Sequence, residues 1–331
     1  MNKVINLKNR PTGRPELSDF EFTEEPKPSP EEGDILLETK YVSVDPYLRG
    51  RMIDQKSYIP PFKLNKPIAS HIVAEVVESK NENFKKGDFV SGMLAWKQTQ
   101  VSDGKGLNKV DPDEAPLSAY LGILGMTGLT AYFGLTDIGK PKEGDTLVVT
   151  GAAGAVGSVV GQIGKIKGCK VIGTAGSDEK VAMLKEKFGF NIGINYKTTS
   201  DMQSAIADAA PNGVDVFYDN VGSTTFDAVM SNIARDARVV LCGAIADYNS
   251  TEKPTGPRLN TTLIKNSVLM QGFTVGNYQD RFQEGIQQLA TWLREGKLEY
   301  EETIVEGFDT IPQAFIDLFD GKNKGKMVVK V

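Results

Sequence analysis

From residue 145 onward, short apolar runs alternate with stretches of helical periodicity. The runs are Thr146–Thr150, Lys170–Thr174, Ile192–Asn195, Val214–Asp219, Arg238–Cys242 and Ser267–Gln271, each of the length and character of a buried strand. Between them, Ser177 is placed to cap a helix over Asp178–Phe188, with acidic residues in its first turn and Gly189 as a left-handed stop. Further on, Phe282, Ile286, Leu289, Ala290 and Leu293 recur at helical spacing and predict one buried face of a helix ending near Gly296. Strands alternating with helices predict a parallel, doubly wound α/β sheet.

The first 120 residues follow another rhythm. Pro26, Pro28 and Pro30 precede the β runs Ile35–Thr39, Ile72–Val77 and Asp88–Val90, which are divided by Pro/Gly turns and predict a β-rich domain. After about residue 300 the α/β rhythm stops: a short helix from Ile311 to Phe319 ends at Gly321, and Lys326–Val331 reads as a final strand. This tail is expected to return to the first domain. The β-rich domain would then comprise residues 1–121 plus 302–331, with the α/β domain, 122–301, inserted in it and a ligand cleft between the two.

Composition narrows the chemistry. The 331 residues are 40% hydrophobic and 24% charged with a net charge of −5, an ordinary globular balance with no positive field for nucleic acid or an anionic membrane. Thr146–Gly164 carries no charge, but its glycines divide it into strand, turn and helix rather than a membrane span. The start, Met1–Asn6, lacks the apolar stretch of a signal peptide, so a cytoplasmic protein is expected. One histidine, His71, and two cysteines, Cys169 and Cys242, supply neither a zinc ligand set nor a disulfide framework, and no metal site is expected.

The segment Leu147-Val-Val-Thr-Gly151-Ala-Ala-Gly154-Ala-Val-Gly157 carries the most specific signal. It is G-x-x-G-x-x-G rather than the usual dinucleotide fingerprint, but it lies between a buried strand and a helix, where a pyrophosphate would meet the helix N-terminus. Gly157 is expected to serve helix–sheet packing. NAD-binding sheets usually carry a carboxylate at the end of the second strand; here that region reads Gly173-Thr-Ala-Gly176-Ser177. Lys180 and Lys197 follow nearby and suit a 2′-phosphate, while Asp178 is assigned to the helix dipole. NADP is therefore expected over NAD.

Beyond the turn, Val148–Gln162, Ala175-Gly-Ser-Asp-Glu-Lys180, Asn195-Tyr-Lys197, Tyr218-Asp-Asn-Val-Gly222 and Cys242-Gly-Ala-Ile245 resemble the zinc-independent medium-chain dehydrogenase/reductases. Val44-Asp-Pro-Tyr-Leu-Arg49 and Gly125–Tyr132 are also similar to motifs of this family. The nearest group is that of leukotriene B4 12-hydroxydehydrogenase, prostaglandin reductase and the alkenal and curcumin reductases, and the resemblance spans essentially the whole chain. It implies a Rossmann-like sheet inserted in a GroES-like catalytic domain, a homodimer, and NADPH-dependent reduction of the carbon–carbon double bond of an enone or enal. Carried over by motif, Ala153, Gly154, Ala155, Val156 and Gly157 would meet the pyrophosphate, and Gly176, Ser177, Lys180 and Tyr196 the adenosine end. Asn220, Cys242, Gly243, Ala244, Ile245, Tyr248, Phe273, Thr274 and Val275 would line the ribose and nicotinamide, with Asn323 reaching back from the tail. Ser70-His71-Ile72 stands where zinc-dependent relatives carry Gly-His-Glu, and Asp247 places an acid beside the proposed nicotinamide site.

In that chemistry hydride goes to the β-carbon, and the protein must stabilise charge on the carbonyl oxygen. Tyr248 and Tyr47 are the candidate hydroxyl donors, either of which could instead be a pocket wall. A quinone oxidoreductase, or an NADPH-binding stress or crystallin-like protein without turnover, would use the same cofactor domain. An alcohol dehydrogenase would need a Lewis acid that the sequence does not provide for.

Overall fold

Runs such as Thr146–Val149 are buried at every position, as expected of strands covered on both faces of a parallel sheet. A computed structural model describing residues 1–331 contains fifteen strands, and the chain divides into two compact units. One unit is Met1–Gly122 with Glu302–Asn323 and Met327–Val331; the other is Ile123–Glu301 with Lys324–Lys326.

In the first unit, β1 (Asn2–Leu7) pairs antiparallel with β2 (Phe20–Glu25). β3 (Ile35–Ser43), β4 (Ala69–Ser79), β5 (Phe89–Ala95), β6 (Thr99–Ser102) and β7 (Asn108–Val110) form an antiparallel sheet. Its core, including Ile5, Leu37, Ile72, Trp96 and Phe315, joins the N-terminal strands to the helix Ile311–Asp317 from the tail. Trp96 Nε1 donates to Ser70 Oγ at 2.8 Å, which satisfies both buried polar groups.

The second unit holds β8 (Thr146–Val149), β9 (Lys170–Ala175), β10 (Ile192–Asn195), β11 (Val214–Asp219), β12 (Ile233–Leu241) and β13 (Leu269–Gly272). They pair in parallel in the order β10-β9-β8-β11-β12-β13, the Rossmann order with its switch point between β8 and β11. β14 (Glu302–Glu306) and β15 (Lys326–Lys330) follow, and β15 pairs antiparallel with β3. The combination is the expected fold class: a Rossmann-like sheet and a β-rich GroES-like fold. No helix is long and apolar enough to cross a membrane.

Two expectations need correction. β12 begins at Ile233, five residues before the expected Arg238, and its register against β11 shifts there. The exposed Arg235 and Asp236, the latter with φ of 60°, hide the first half of the strand from an apolar pattern. In the helix Phe282–Arg294 the buried residues are Gly285, Leu289 and Trp292. Of the five positions expected to be buried only Leu289 is fully so; the others flank the buried line. The Gly285 backbone packs against Leu129 and Phe133, a contact that no hydrophobic side chain announces.

Candidate active site

Ligands of doubly wound sheets bind outside the carboxyl ends of the strands at the switch point. Here those ends are Thr150, after β8, and Asp219, the last residue of β11. Thr150 Oγ1 donates to Asp219 Oδ1 at 2.5 Å, and the Asn220 N–H donates to Thr150 Oγ1 at 2.9 Å. Asn220 Nδ2 donates to the Thr150 carbonyl at 2.8 Å, while the Val221 and Gly222 N–H groups donate to the Asp219 carboxylate at 3.1 and 3.0 Å. Asp219 is buried; burial raises its pKa above the ordinary value, the Thr150, Val221 and Gly222 donors oppose that, and Asp247 adds to it. Sequence reasoning missed both Thr150 and Asp219. The available signal was an acid closing the apolar run Val216-Phe217-Tyr218 at the carboxyl end of the strand.

The glycine turn follows Thr150. The N–H groups of Ala153, Val156 and Gly157 meet no acceptor in the protein, and they lie at the start of the helix Gly157–Ile166. Such a cluster of unused donors at a helix N-terminus suits a pyrophosphate. A Cβ on Gly157 would stand 2.4 Å from the Gly151 carbonyl oxygen and 2.8 Å from Ala152 Cα, so this residue closes the turn upon itself. Helix–sheet packing falls instead to Gly164, where a Cβ would meet Leu147 Cδ2 at 2.4 Å and Val171 Cγ2 at 3.1 Å.

At the end of β9, Ser177 Oγ accepts from the Lys180 N–H at 3.3 Å and caps the helix Asp178–Glu186. Asp178 does more than face the helix dipole, because Asn195 Nδ2 donates to it at 2.7 Å. A Cβ on Gly176 would lie 2.7 Å from the Tyr196 hydroxyl and 3.3 Å from Lys197 Cε, which gathers Gly176, Tyr196 and Lys197 at one place. The Lys180 ammonium is held below its ordinary pKa first by burial, then by Lys197 and Lys324, with Glu179 opposing. Crowded cations with too little negative charge fit a bound phosphate, so this unit has the parts to hold an NADPH molecule.

The Cys242–Tyr248 segment is laid along β11's end. The Cys242 and Gly243 N–H groups donate to the Asp219 carbonyl at 2.9 and 3.2 Å, and Ile245 N–H donates to the Asn220 carbonyl at 3.4 Å. Tyr248 turns back, its hydroxyl oxygen accepting the Ala244 N–H at 3.2 Å. Burial pushes the Cys242 thiol up to about 12. After β13, the Phe273 ring borders Gly134 near the Tyr218 hydroxyl, and Thr274 caps the turn beginning at Val275 through Asn277.

Tyr47 belongs to the other unit, immediately before the helix Leu48–Arg51. Its hydroxyl is buried with no hydrogen-bond partner, and burial, aided by Asp45, raises the phenol above its ordinary pKa. Asn323 is grouped with this unit, whereas the next three residues belong to the second. No three His, Cys, Asp or Glu side chains come together as a metal-binding group.

Residues 3–110 match the family of N-terminal domains of oxidoreductases, and residues 155–291 match the zinc-binding dehydrogenase family. The chain is 56% identical over 329 residues to YfmJ of Bacillus subtilis (strain 168), assigned as an NADP-dependent oxidoreductase, covering 99% of this chain and 97% of the relative. It is 42% identical to the NADPH-dependent curcumin reductase of Escherichia coli (strain K12), covering 100% and 97%, and 44% identical to prostaglandin reductase 1 of Sus scrofa, covering 99% and 98%. The crystal structure of CurA in complex with NADPH from Vibrio vulnificus superposes with a TM-score of 0.94 at 42% identity, covering 99% of each chain.

Proposed function

Because the chain belongs to the zinc-independent medium-chain dehydrogenase/reductases, in the group of the curcumin and prostaglandin reductases, we propose that it is an NADPH-dependent reductase of the carbon–carbon double bond of α,β-unsaturated aldehydes and ketones. The observation that carries the cofactor half of this reading is the set of unused N–H groups at the switch-point turn, with crowded lysines beside the second strand. NADPH supplies the hydride. The turn N–H groups of Ala153, Val156 and Gly157 would hold its pyrophosphate, with Ala155 facing it between them; Lys180, Lys197 and Tyr196 would hold the 2′-phosphate. Asp219 and Thr150 are positioning residues, since they tie the turn to the Asn220–Gly222 loop. Asn220 gives its amide nitrogen to Thr150, so a contact to the cofactor ribose would fall to its Oδ1.

The remaining need is a hydrogen-bond donor for the carbonyl oxygen. A buried hydroxyl without a partner is unfavourable by about 1–3 kcal/mol, and Tyr47 has that condition; a substrate oxygen would relieve it. The phenol is protonated at neutral pH even at its ordinary pKa, as a donor must be, and burial moves it further in that direction. Tyr248 is the second candidate, its oxygen polarised by the Ala244 N–H.

We also infer a homodimer formed through β13. This strand is an outer member of its sheet, its Leu269 is exposed, and Ile264 on the adjoining helix Asn260–Asn266 is 79% exposed. An unpaired apolar edge is an invitation to pair with a second copy. The two unbridged cysteines are compatible with the cytoplasm, which we take as the protein's location.

The test is oxidation of NADPH, followed by absorbance, with a panel of enones and enals, with NADH and a quinone run in parallel. Enone-dependent NADPH oxidation yielding the saturated carbonyl is expected. Turnover with the quinone alone, or none with any acceptor, overturns the reading.

A further inference from the structure

The tail carries a cation to the second unit by an unusual route. Gly325 N–H donates to the Ala153 carbonyl at 2.8 Å, and Gly325 bridges Gly154 in parallel. Lys326 N–H donates to the Glu301 carbonyl at 2.9 Å. Gly325 has φ of +62°, and a Cβ there would stand 1.8 Å from the Glu301 carbonyl oxygen, so only glycine fits this strap. Gly325 is therefore fixed to the glycine turn itself, with Lys326 held at Glu301.

From that anchor the Lys324 side chain does not point along the turn. Its Nζ donates to Glu179 Oε1, in the first turn of the helix capped by Ser177. Glu179 adjoins Lys180, and Lys197 lies against Gly176. Three ammonium groups thus converge from three chain segments. Of the carboxylates close by, Asp178 accepts from Asn195, and Glu179 is the one paired with a lysine.

We propose that Lys324 is a third cation of the 2′-phosphate subsite, a specificity-determining residue supplied by the tail, and that Glu179 occupies it until a phosphate arrives. The inference rests on the NADPH reading above and extends it to residues outside the expected site. Glu179 is suited to be displaced. Its side chain is 71% exposed and that of Lys324 40% exposed, and exposed ion pairs are weak. A 2′-phosphate brings nearly two charges and three acceptor oxygens to a place already crowded with cations, and outcompetes one carboxylate. NADH brings nothing to exchange for it.

The test uses calorimetric binding to the whole protein, without turnover, so failure of the enone reading does not affect it. The probes are 2′,5′-ADP, with one phosphate at 2′ and one at 5′, and 5′-ADP, with both phosphates at 5′. Lys324→Met is expected to weaken 2′,5′-ADP about tenfold and to leave 5′-ADP within about twofold. Glu179→Gln, a change at an exposed side chain that leaves the strap intact, is expected to strengthen 2′,5′-ADP about threefold, and this gain should vanish in the Lys324→Met background. Equal weakening of both probes by Lys324→Met would assign the lysine to the adenosine or the 5′-phosphate that they share and overturn the proposal. So would unchanged binding of 2′,5′-ADP, or a Glu179→Gln gain that persists without Lys324.

Discussion

Substituting Gly157→Ala tests whether the turn binds phosphate through its backbone. The new Cβ would lie 2.4 Å from the Gly151 carbonyl oxygen and 2.8 Å from Ala152 Cα, and neither atom can rotate away as a side chain would. Relief requires the backbone to move by roughly 1 Å to reach ordinary contact distances. A shift of that size removes about two of the charge-assisted hydrogen bonds expected from Ala153, Val156 and Gly157. At about 1.5 kcal/mol each, the dissociation constant for NADPH should rise by roughly two orders of magnitude. The control is Gly164→Ala. Its Cβ meets side-chain atoms of Leu147 and Val171, so it should lower stability by about 1–3 kcal/mol through overpacking while leaving the NADPH constant within about threefold. Fluorescence titration gives the constants, and circular dichroism and thermal melting show whether each variant is folded. A folded Gly157→Ala protein that binds NADPH like the wild type would refute the reasoning, as would a Gly164→Ala variant that loses cofactor affinity equally.

Tyr47→Phe should lower the enone turnover rate by about tenfold to a hundredfold with NADPH affinity unchanged; a fully active variant, compared with Tyr248→Phe in the same assay, would remove Tyr47 as donor. Burial raises Cys169 to about 11 and Cys242 to about 12, so both thiols stay protonated at neutral pH and become thiolates only as the pH climbs through those values. Alkylation by iodoacetamide at pH 8 should accordingly be about two to three orders of magnitude slower than for a free thiol and rise about tenfold per pH unit; complete reaction within minutes at pH 8 would contradict this. Light scattering should give twice the 36.0 kDa chain mass, and Leu269→Lys should shift the protein to monomer, whereas a wild-type monomer at micromolar concentration would dispose of the β13 interface.

The fold was legible where burial is continuous. β8 and β11 are buried along nearly their whole length, so their apolar runs need no partner to be recognised. β12 was half hidden because Arg235 and Asp236 interrupt the run at the register shift. The face of the Phe282–Arg294 helix was misplaced by the glycine at its centre, since Gly285 packs through backbone and adds nothing to a hydrophobic pattern.

The candidate site divides along the same physical line. A phosphate cradle is made by backbone conformation, and conformation is written locally, so three glycines and the missing carboxylate after β9 were readable within a few dozen residues. Thr150 and Asp219 lie 69 positions apart, and their connection exists only because β8 and β11 are neighbours across the switch point. Glu179 and Lys324 are separated by 145 positions, and no periodicity predicts that a tail glycine will bind the turn and aim the lysine before it at a helix terminus. From the sequence the tail's reach was expected at Asn323, and Lys324 beside it was not singled out. Cofactor preference is the property most exposed to such long-range pairs, because a charge acts over several ångströms in space regardless of its place in the chain. A reading confined to the first strand–turn–helix and the residues after the second strand can therefore identify the sign of the preference while undercounting the charges that set its size.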